Sequence, residues 1–233
     1  MMIYNNIIKA EFIKRPNRFI AYVKVNGEEI MVHVPNTGRC REILIPKSTV
    51  ILKEGKNPNR KTKYDLIAGY KDNKIINIDS QIPNYVVEEA LRNAKIKELK
   101  NYPIIKREKT FGKSRFDFKL SNKKNEEYYL EVKGVTFEDN RHCMFPDAPT
   151  DRGRRHLLEL IDVKKSGKGA GVLFLIQLQD VETFSPYDDM DKNFGNALRL
   201  AHKNGVDIFV YNCKVGENYI ELDTTVDIIL CDD

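Results

Sequence analysis

The first eighty residues contain five or six short β-rich runs and no convincing helix, and this crowding limits the fold more than any other feature. Residues 7–13, 18–25 and 28–34 are rich in Ile, Val, Phe and Tyr, and Asn26-Gly27 marks a hairpin between the last two. Residues 49–53, 64–70 and 74–79 continue the pattern, with Asp72-Asn73 turning between the final pair. So many strands in so little chain expose edges unless the sheet closes on itself, so a small closed barrel is expected.

Pro83 marks a change of grammar. Residues 85–99 place Val86, Ala90, Ile96 and Leu99 close to helical spacing, with Asn84 as a candidate cap. Three strands are predicted next, over 104–109, 114–120 and 128–136. A helix over 152–165 closes at Gly167, a buried-type strand covers 172–178, and a helix over 193–203 precedes a strand at 207–211. Helix, three strands, helix, strand, helix, strand is a mixed α/β unit, so the chain divides into domains 1–80 and 81–233.

Charge separates the halves as sharply as pattern does. The net charge is +5, too mild by itself to announce a nucleic-acid binder. Residues 1–80 hold 15 Lys and Arg against 8 Asp and Glu, a net of +7, which leaves 24 against 26, a net of −2, for the remainder. A barrel of the oligonucleotide-binding (OB) type is the natural candidate for the basic half, although strand spacing alone does not separate it from other small barrels. Its charge favours a polyanionic partner. The stretch 53–63 (KEGKNPNRKTK) reads equally as a phosphate-contacting loop or a solvated one.

The chemistry concentrates in Ser-Arg-Phe-Asp-Phe at 114–118 and Leu-Glu-Val-Lys at 130–133. Strand side chains two apart share a face, so Glu131 and Lys133 point together while Leu130 and Val132 enter the opposite layer. The short polar link 121–127 pairs the strands and brings Asp117 beside them. Two carboxylates facing one point repel unless a cation or proton intervenes. Oxygen ligands of this kind suit Mg²⁺ or Mn²⁺, and Lys133 beside them suits metal-assisted phosphodiester hydrolysis. A solvated strand face is the bland alternative.

The element order around these residues is similar to the restriction-endonuclease-like superfamily, known by its Asp…Glu-x-Lys motif. That similarity implies a further acid from the preceding helix, Glu88 or Glu89, with Glu108 another candidate. The whole chain resembles the sugar fermentation stimulation protein family (SfsA). The matching stretches are Arg18-Phe19, Pro35-Asn36-Thr37-Gly38, Arg60-Lys61, Asn84, Glu89-Ala90 and Glu108. They continue with Gly112, Ser114–Phe118, Glu131-Val132-Lys133, Phe145–Ala148, Thr150, Arg152-Gly153 and His156-Leu157.

The resemblance implies an OB-like barrel followed by a restriction-endonuclease-like α/β domain that binds DNA, with RNA as the alternative. It also implies a regulatory link to sugar (maltose) metabolism. Catalytic Asp117, Glu131 and Lys133 are expected, with Asp117, Glu131 and Glu89 holding Mg²⁺ or Mn²⁺. Expected nucleic-acid contacts are Arg18, Asn36, Thr37, Arg39, Arg60, Lys61, Arg115, Arg152 and His156. Val34 and Arg39 depart from the family pattern without touching a catalytic position.

The rival reading is a non-enzymatic DNA-binding regulator that keeps the nuclease fold as scaffold. A glycosidase fits poorly, since the chain has no Trp to offer a sugar platform.

Other features set expectations of context. Cys40, Cys143, Cys213 and Cys231 lack zinc-knuckle spacing and read as reduced, buried thiols. His33 reads as structural and His202 as surface. Apolar runs such as 171–177 fall far short of the roughly 20 residues of a membrane helix, and Lys9 and Glu11 interrupt the start too early for a signal peptide. A cytoplasmic protein without membrane contact is expected.

Overall fold

The computed structural model describes residues 1–57 and 59–230, so Cys231 lies outside the described residues, as does residue 58 of the basic loop. Six strands form the first unit: β1 (Ile7–Asn17), β2 (Ile20–Val25), β3 (Glu28–His33), β4 (Thr49–Glu54), β5 (Tyr64–Lys71) and β6 (Lys74–Asn77). Their order is β3-β2-β1-β4-β5-β6, and a parallel pairing of β3 with β5 at His33 and Asp65 closes the barrel. Side chains reinforce that closure, because His33 Nδ1 lies 2.8 Å from Asp65 Oδ1 and the Arg60 guanidinium clasps the same carboxylate. The hairpin at Asn26-Gly27 is as expected, with both residues at positive φ.

The second unit contains α1 (Ile82–Arg92), β7 (Ile104–Phe111), β8 (Ser114–Ser121) and β9 (Glu127–Val135), then α2 (Asp151–Lys165) and β10 (Gly169–Ile176). It ends with α3 (Asp188–Lys203), β11 (Asp207–Val215) and β12 (Tyr219–Thr225). These strands, with Met2–Ile3, make a seven-stranded sheet in the order Met2–Ile3, β12, β11, β10, β9, β8, β7. The central strands β9, β10 and β11 run parallel. In β10 the period of two divides the layers: Val172 and Phe174 cluster with Leu157 and Phe194 of α2 and α3, while Leu173 and Leu175 cluster with Val86 and Val87 of α1. Helices therefore cover both faces.

Two helices differ from expectation in their bounds. The first helix starts at Ile82, because proline is favourable in a first helical turn, and it stops at Arg92, where Ala94 turns to φ +50° before the 3₁₀ turn Lys97–Leu99. The third helix begins five residues early, at Asp188, and kinks at Asp191. The strand β12 was not read from the sequence.

The barrel and the α/β unit share their cores. Ile51 and Ile67 of the barrel cluster with α1, and the Asn77 N–H donates to the Gln177 carbonyl across the seam at 3.0 Å. Glu138, only 5% exposed, receives Lys71 at 3.0 Å and Lys74 at 3.1 Å from the barrel. Cys40, Cys143 and Cys213 are free and buried. His142 bonds Thr183 and Ser185, a structural role. Among the described residues, no helix is long and apolar enough to cross a membrane.

Candidate metal centre and nucleic-acid surface

The centre forms where two strands part. β8 and β9 pair from Ser121–Glu127 to Phe118–Leu130 and then separate. At the split, Asp117 Oδ2 accepts the Val132 N–H at 2.8 Å, and its other oxygen accepts from Asn84 Nδ2 on α1, also at 2.8 Å. Phe116 packs toward α2 and Phe118 toward α1, so Asp117 occupies the place where the strand changes the layer it serves. Burial, then the charge of Glu131, raises the Asp117 carboxyl above the ordinary range, and its two hydrogen bonds offset this only in part.

Glu131 behaves oppositely. Its neighbours Leu130 and Val132 enter the α1 layer, which turns Glu131 and Lys133 toward α2, as the period of two requires. Glu131 Oε1 takes both Lys133 Nζ at 2.6 Å and His156 Nδ1 at 2.5 Å. Burial pushes this carboxyl up, but the His156 hydrogen bond and the Lys133 charge outweigh it, and the group titrates below its usual value. Two neighbouring acids with their pKa values driven apart are a common mark of a working site.

The remaining oxygen, Glu131 Oε2, is buried and has no hydrogen-bond partner. An unsatisfied buried polar atom costs about 1–3 kcal/mol, more when charged, so this one needs an explanation. A hard divalent cation would supply one. The donors are carboxylate oxygens, as Mg²⁺ and Mn²⁺ prefer, and Asp117 lies within electrostatic reach. The residues present therefore fit such a group, although no set of three His, Cys, Asp or Glu gathers among the described residues.

Glu89 does not join them. Asn84 and Glu88, one turn apart, face β7 and β8, where Glu88 pairs with Arg107 at 3.2 Å. Glu89 lies about 140° further round from Asn84, and its carboxylate binds the Met1 ammonium at the opposite side of the sheet. The α1 residue that reaches the centre is Asn84, expected as a cap but placed inside the helix by its earlier start. His156 also departs from expectation. It is 6% exposed, and it orients Glu131 from α2, whose first turn is capped by Thr150 Oγ1 accepting from Gly153.

The expected nucleic-acid residues divide into exposed and enclosed groups, and among the exposed ones Arg115 pairs with Glu108 and Arg152 donates to His156 Nε2, each at 3.5 Å. Arg18, Thr37, Arg39, Lys61, Arg115 and Arg152 are exposed. Arg60 is held by Asp65, and the Asn36 amide accepts from the Gly38 N–H within its own loop and donates to the Ile78 carbonyl beyond β6. Two basic clefts result. One, of about 370 Å³ on the barrel, includes Lys14, Arg18, Arg39 and Arg41. The other, of about 350 Å³, includes Lys113, Arg115, Arg152 and Arg155.

Sequence reasoning missed Arg15, whose guanidinium donates to four carbonyls, those of Asn36, Gly38, Arg18 and Arg39, at 2.6–2.9 Å. One more arginine in a basic strand gives no signal of such a role.

Two family models match the chain: the sugar fermentation stimulation protein RE domain over residues 81–219 and the SfsA N-terminal OB domain over residues 13–78. A sugar fermentation stimulation protein homolog of Clostridium tetani is 69% identical over 230 residues, covering 99% of this chain and 100% of that protein. A homolog from Clostridium novyi is 67% identical over 226 residues, covering 97% of this chain and 99% of that protein. Among solved structures, Pyrococcus furiosus SfsA in complex with Ca²⁺ matches with a TM-score of 0.89 at 28% identity, covering 98% of both chains.

Proposed function

Because this chain belongs to the sugar fermentation stimulation protein family, we propose that it is a DNA-binding, Mg²⁺- or Mn²⁺-dependent phosphodiesterase built as a basic OB barrel (1–80) on a nuclease-type domain (81–233). The observation that carries the reading is Glu131 Oε2, an anionic oxygen buried without a donor beside a second carboxylate. Asp117 and Glu131 would hold the cation, and the Ca²⁺ of the Pyrococcus furiosus relative's complex is consistent with a divalent ion in this fold. Such an ion, when bound, acidifies water and neutralises charge on a phosphoryl oxygen.

The chain's own residues supply the rest. Lys133 Nζ, 2.6 Å from Glu131, is placed to orient the nucleophilic water or meet charge that develops on the phosphate. His156 and Asn84 fix the carboxylates from two different helices, so both acids are oriented before substrate arrives. Arg115, Arg152 and Arg155 offer phosphate contacts next to them. The three free buried thiols suit a reducing, cytoplasmic setting.

The test is direct. Purified protein with Mn²⁺ or Mg²⁺ is expected to cut at least one of single-stranded, duplex or branched DNA or RNA above a Lys133→Ala control, and calorimetry should lose divalent-metal binding in Asp117→Ala. DNA binding without cleavage or metal uptake would leave the scaffold regulator as the better account.

A further inference from the structure

Between the two basic clefts lies a third pocket, of about 270 Å³. It sits on the seam of the molecule, between the loop 36–38 of the barrel and the segment 145–150 that leads into α2. Thr37 and Gly38 line both this pocket and the barrel cleft. At the other end Thr150 caps α2, whose next residues Arg152 and Arg155 line the second cleft. On its floor Gly134 directly follows Lys133 in β9. The pocket is thus the joint between the two basic surfaces, one residue from the proposed catalytic lysine.

Two glycines keep it open. A Cβ on Gly38 would lie 2.4 Å from Asp147 Oδ2, and one on Gly134 would lie 2.4 Å from Gln177 Oε1. The volume falls just below the roughly 300–1,000 Å³ of ordinary small-ligand pockets, which suits one nucleobase and excludes a duplex. Its charge is also particular. Asp147 has neither a hydrogen-bond donor nor an ion-pair partner among the described residues, so a bare carboxylate faces a cavity flanked by arginines. A phosphate is repelled there, whereas a base's exocyclic amino group donates to a carboxylate. Outside the pocket, Arg18, Arg39, Arg41 and Arg155 have no carboxylate partner among the described residues and remain available to phosphates.

We propose that a single strand of DNA runs from the barrel cleft over the loop 36–38 to the carboxylates, and that one unpaired base turns into this pocket and is read by Asp147. This assignment deepens the function proposed above and rests on it for the choice of DNA. It makes the substrate single-stranded at the seam, since a paired base has its edge occupied and its partner in the way.

The experiment measures binding of the full-length protein to a labelled oligonucleotide by fluorescence anisotropy, in EDTA and again with Ca²⁺. Four probes are compared: a single-stranded DNA, its duplex, the same strand with scattered abasic sites, and the equivalent RNA. The single strand is expected to bind about tenfold tighter than either the duplex or the abasic strand. Asp147→Asn should remove that preference for bases, and Gly38→Ala, which closes the pocket without deleting a polar group, should do the same. Equal affinity for duplex, equal affinity for the abasic strand, variants that bind as the parent does, or tighter RNA binding would each overturn the assignment. Strand and base preference without Mn²⁺-dependent cleavage would sink the phosphodiesterase reading alone, and cleavage without strand preference would sink this one alone.

Discussion

Two buried glutamates, seven residues apart, have nearly the same neighbours and opposite meanings. Glu138 is 5% exposed and Glu131 is 4%, each faces two cationic or imidazole side chains, and both titrate below the usual carboxylate value despite burial. At Glu138 both oxygens are used: Lys71 takes Oε2, and Lys74 and the Arg141 N–H take Oε1. At Glu131 both partners crowd onto Oε1 and the other oxygen has none. A satisfied cluster joins the barrel to the second domain. A half-satisfied one leaves an oxygen open, which the proposed function uses for a cation, and structures retain such deficits where function requires them.

The largest effect expected from this contrast is on activity. Glu131→Gln and Asp117→Asn remove anionic oxygen from the centre, and each should lower Mn²⁺-dependent cleavage at least about 10³-fold, the scale of losing a main electrostatic contributor. Glu138→Gln should change cleavage by less than about threefold, because it touches no centre residue. A Glu138→Gln enzyme as dead as Glu131→Gln would erase the distinction between clamp and centre.

Stability should rank the same pair in reverse. In metal-free protein, Glu138→Gln leaves Lys71 and Lys74 without a carboxylate, a loss of about 1–2 kcal/mol after allowance for their partial exposure. Glu131→Gln removes a buried carboxylate whose second oxygen has no partner and keeps an acceptor for Lys133 and His156, so urea midpoints should show the smaller loss there, under about 1 kcal/mol. If Glu131→Gln unfolds the more easily of the two, its open oxygen is not the strained feature it is taken to be.

These differences also show what could be read from sequence. Glu131 and Lys133 on one face followed from a period of two, and Asp117 beside them followed from a short polar link, because both depend on local backbone geometry. The change of pattern at Pro83 suggested two units, and counting charge on either side of residue 80 gave them opposite signs, since neither step needs coordinates. His156, Asn84 and Arg60 were harder. Each has a polar group whose role depends on what another element brings within about 3 Å, and a helix start shifted by three residues turned Asn84 from a cap into a ligand-positioning amide. Glu89 failed for the same reason, since one residue along a helix rotates a side chain by about 100°. Arg15, which holds three carbonyls of the loop 36–39 and that of Arg18, had no signal at all.

Arg60 and Arg18 extend the comparison to the barrel. Arg60 is committed to Asp65 at the barrel closure, while Arg18 lies exposed over the Phe19 ring. Arg18→Ala or Arg39→Ala should weaken oligonucleotide binding and reduce the slope of log K against log salt by about 1 each. Arg60→Ala should instead destabilise the fold by about 1 kcal/mol, discounted for its partial exposure, with the salt slope unchanged. A reduced salt slope in Arg60→Ala would return that residue to the binding surface.

The smallest expected effect lies in the pH dependence of stability, and its sign separates Glu138 from Asp117. Glu138 has a depressed pKa when folded, so the unfolded chain binds its proton first. Its stabilisation is present above the ordinary carboxylate range and is lost as pH falls through that range and below. Asp117 is raised by burial and by Glu131, so the folded chain binds its proton first, and acidification from neutrality toward the ordinary range adds stability. Urea unfolding in EDTA should therefore show Asp117→Asn losing part of the gain between neutral and mildly acid pH, by under about 1 kcal/mol. Glu138→Gln should leave that limb intact and flatten the fall below about pH 4. Identical pH profiles for the two variants would mean that burial, not the neighbouring charges and hydrogen bonds, governs both acids.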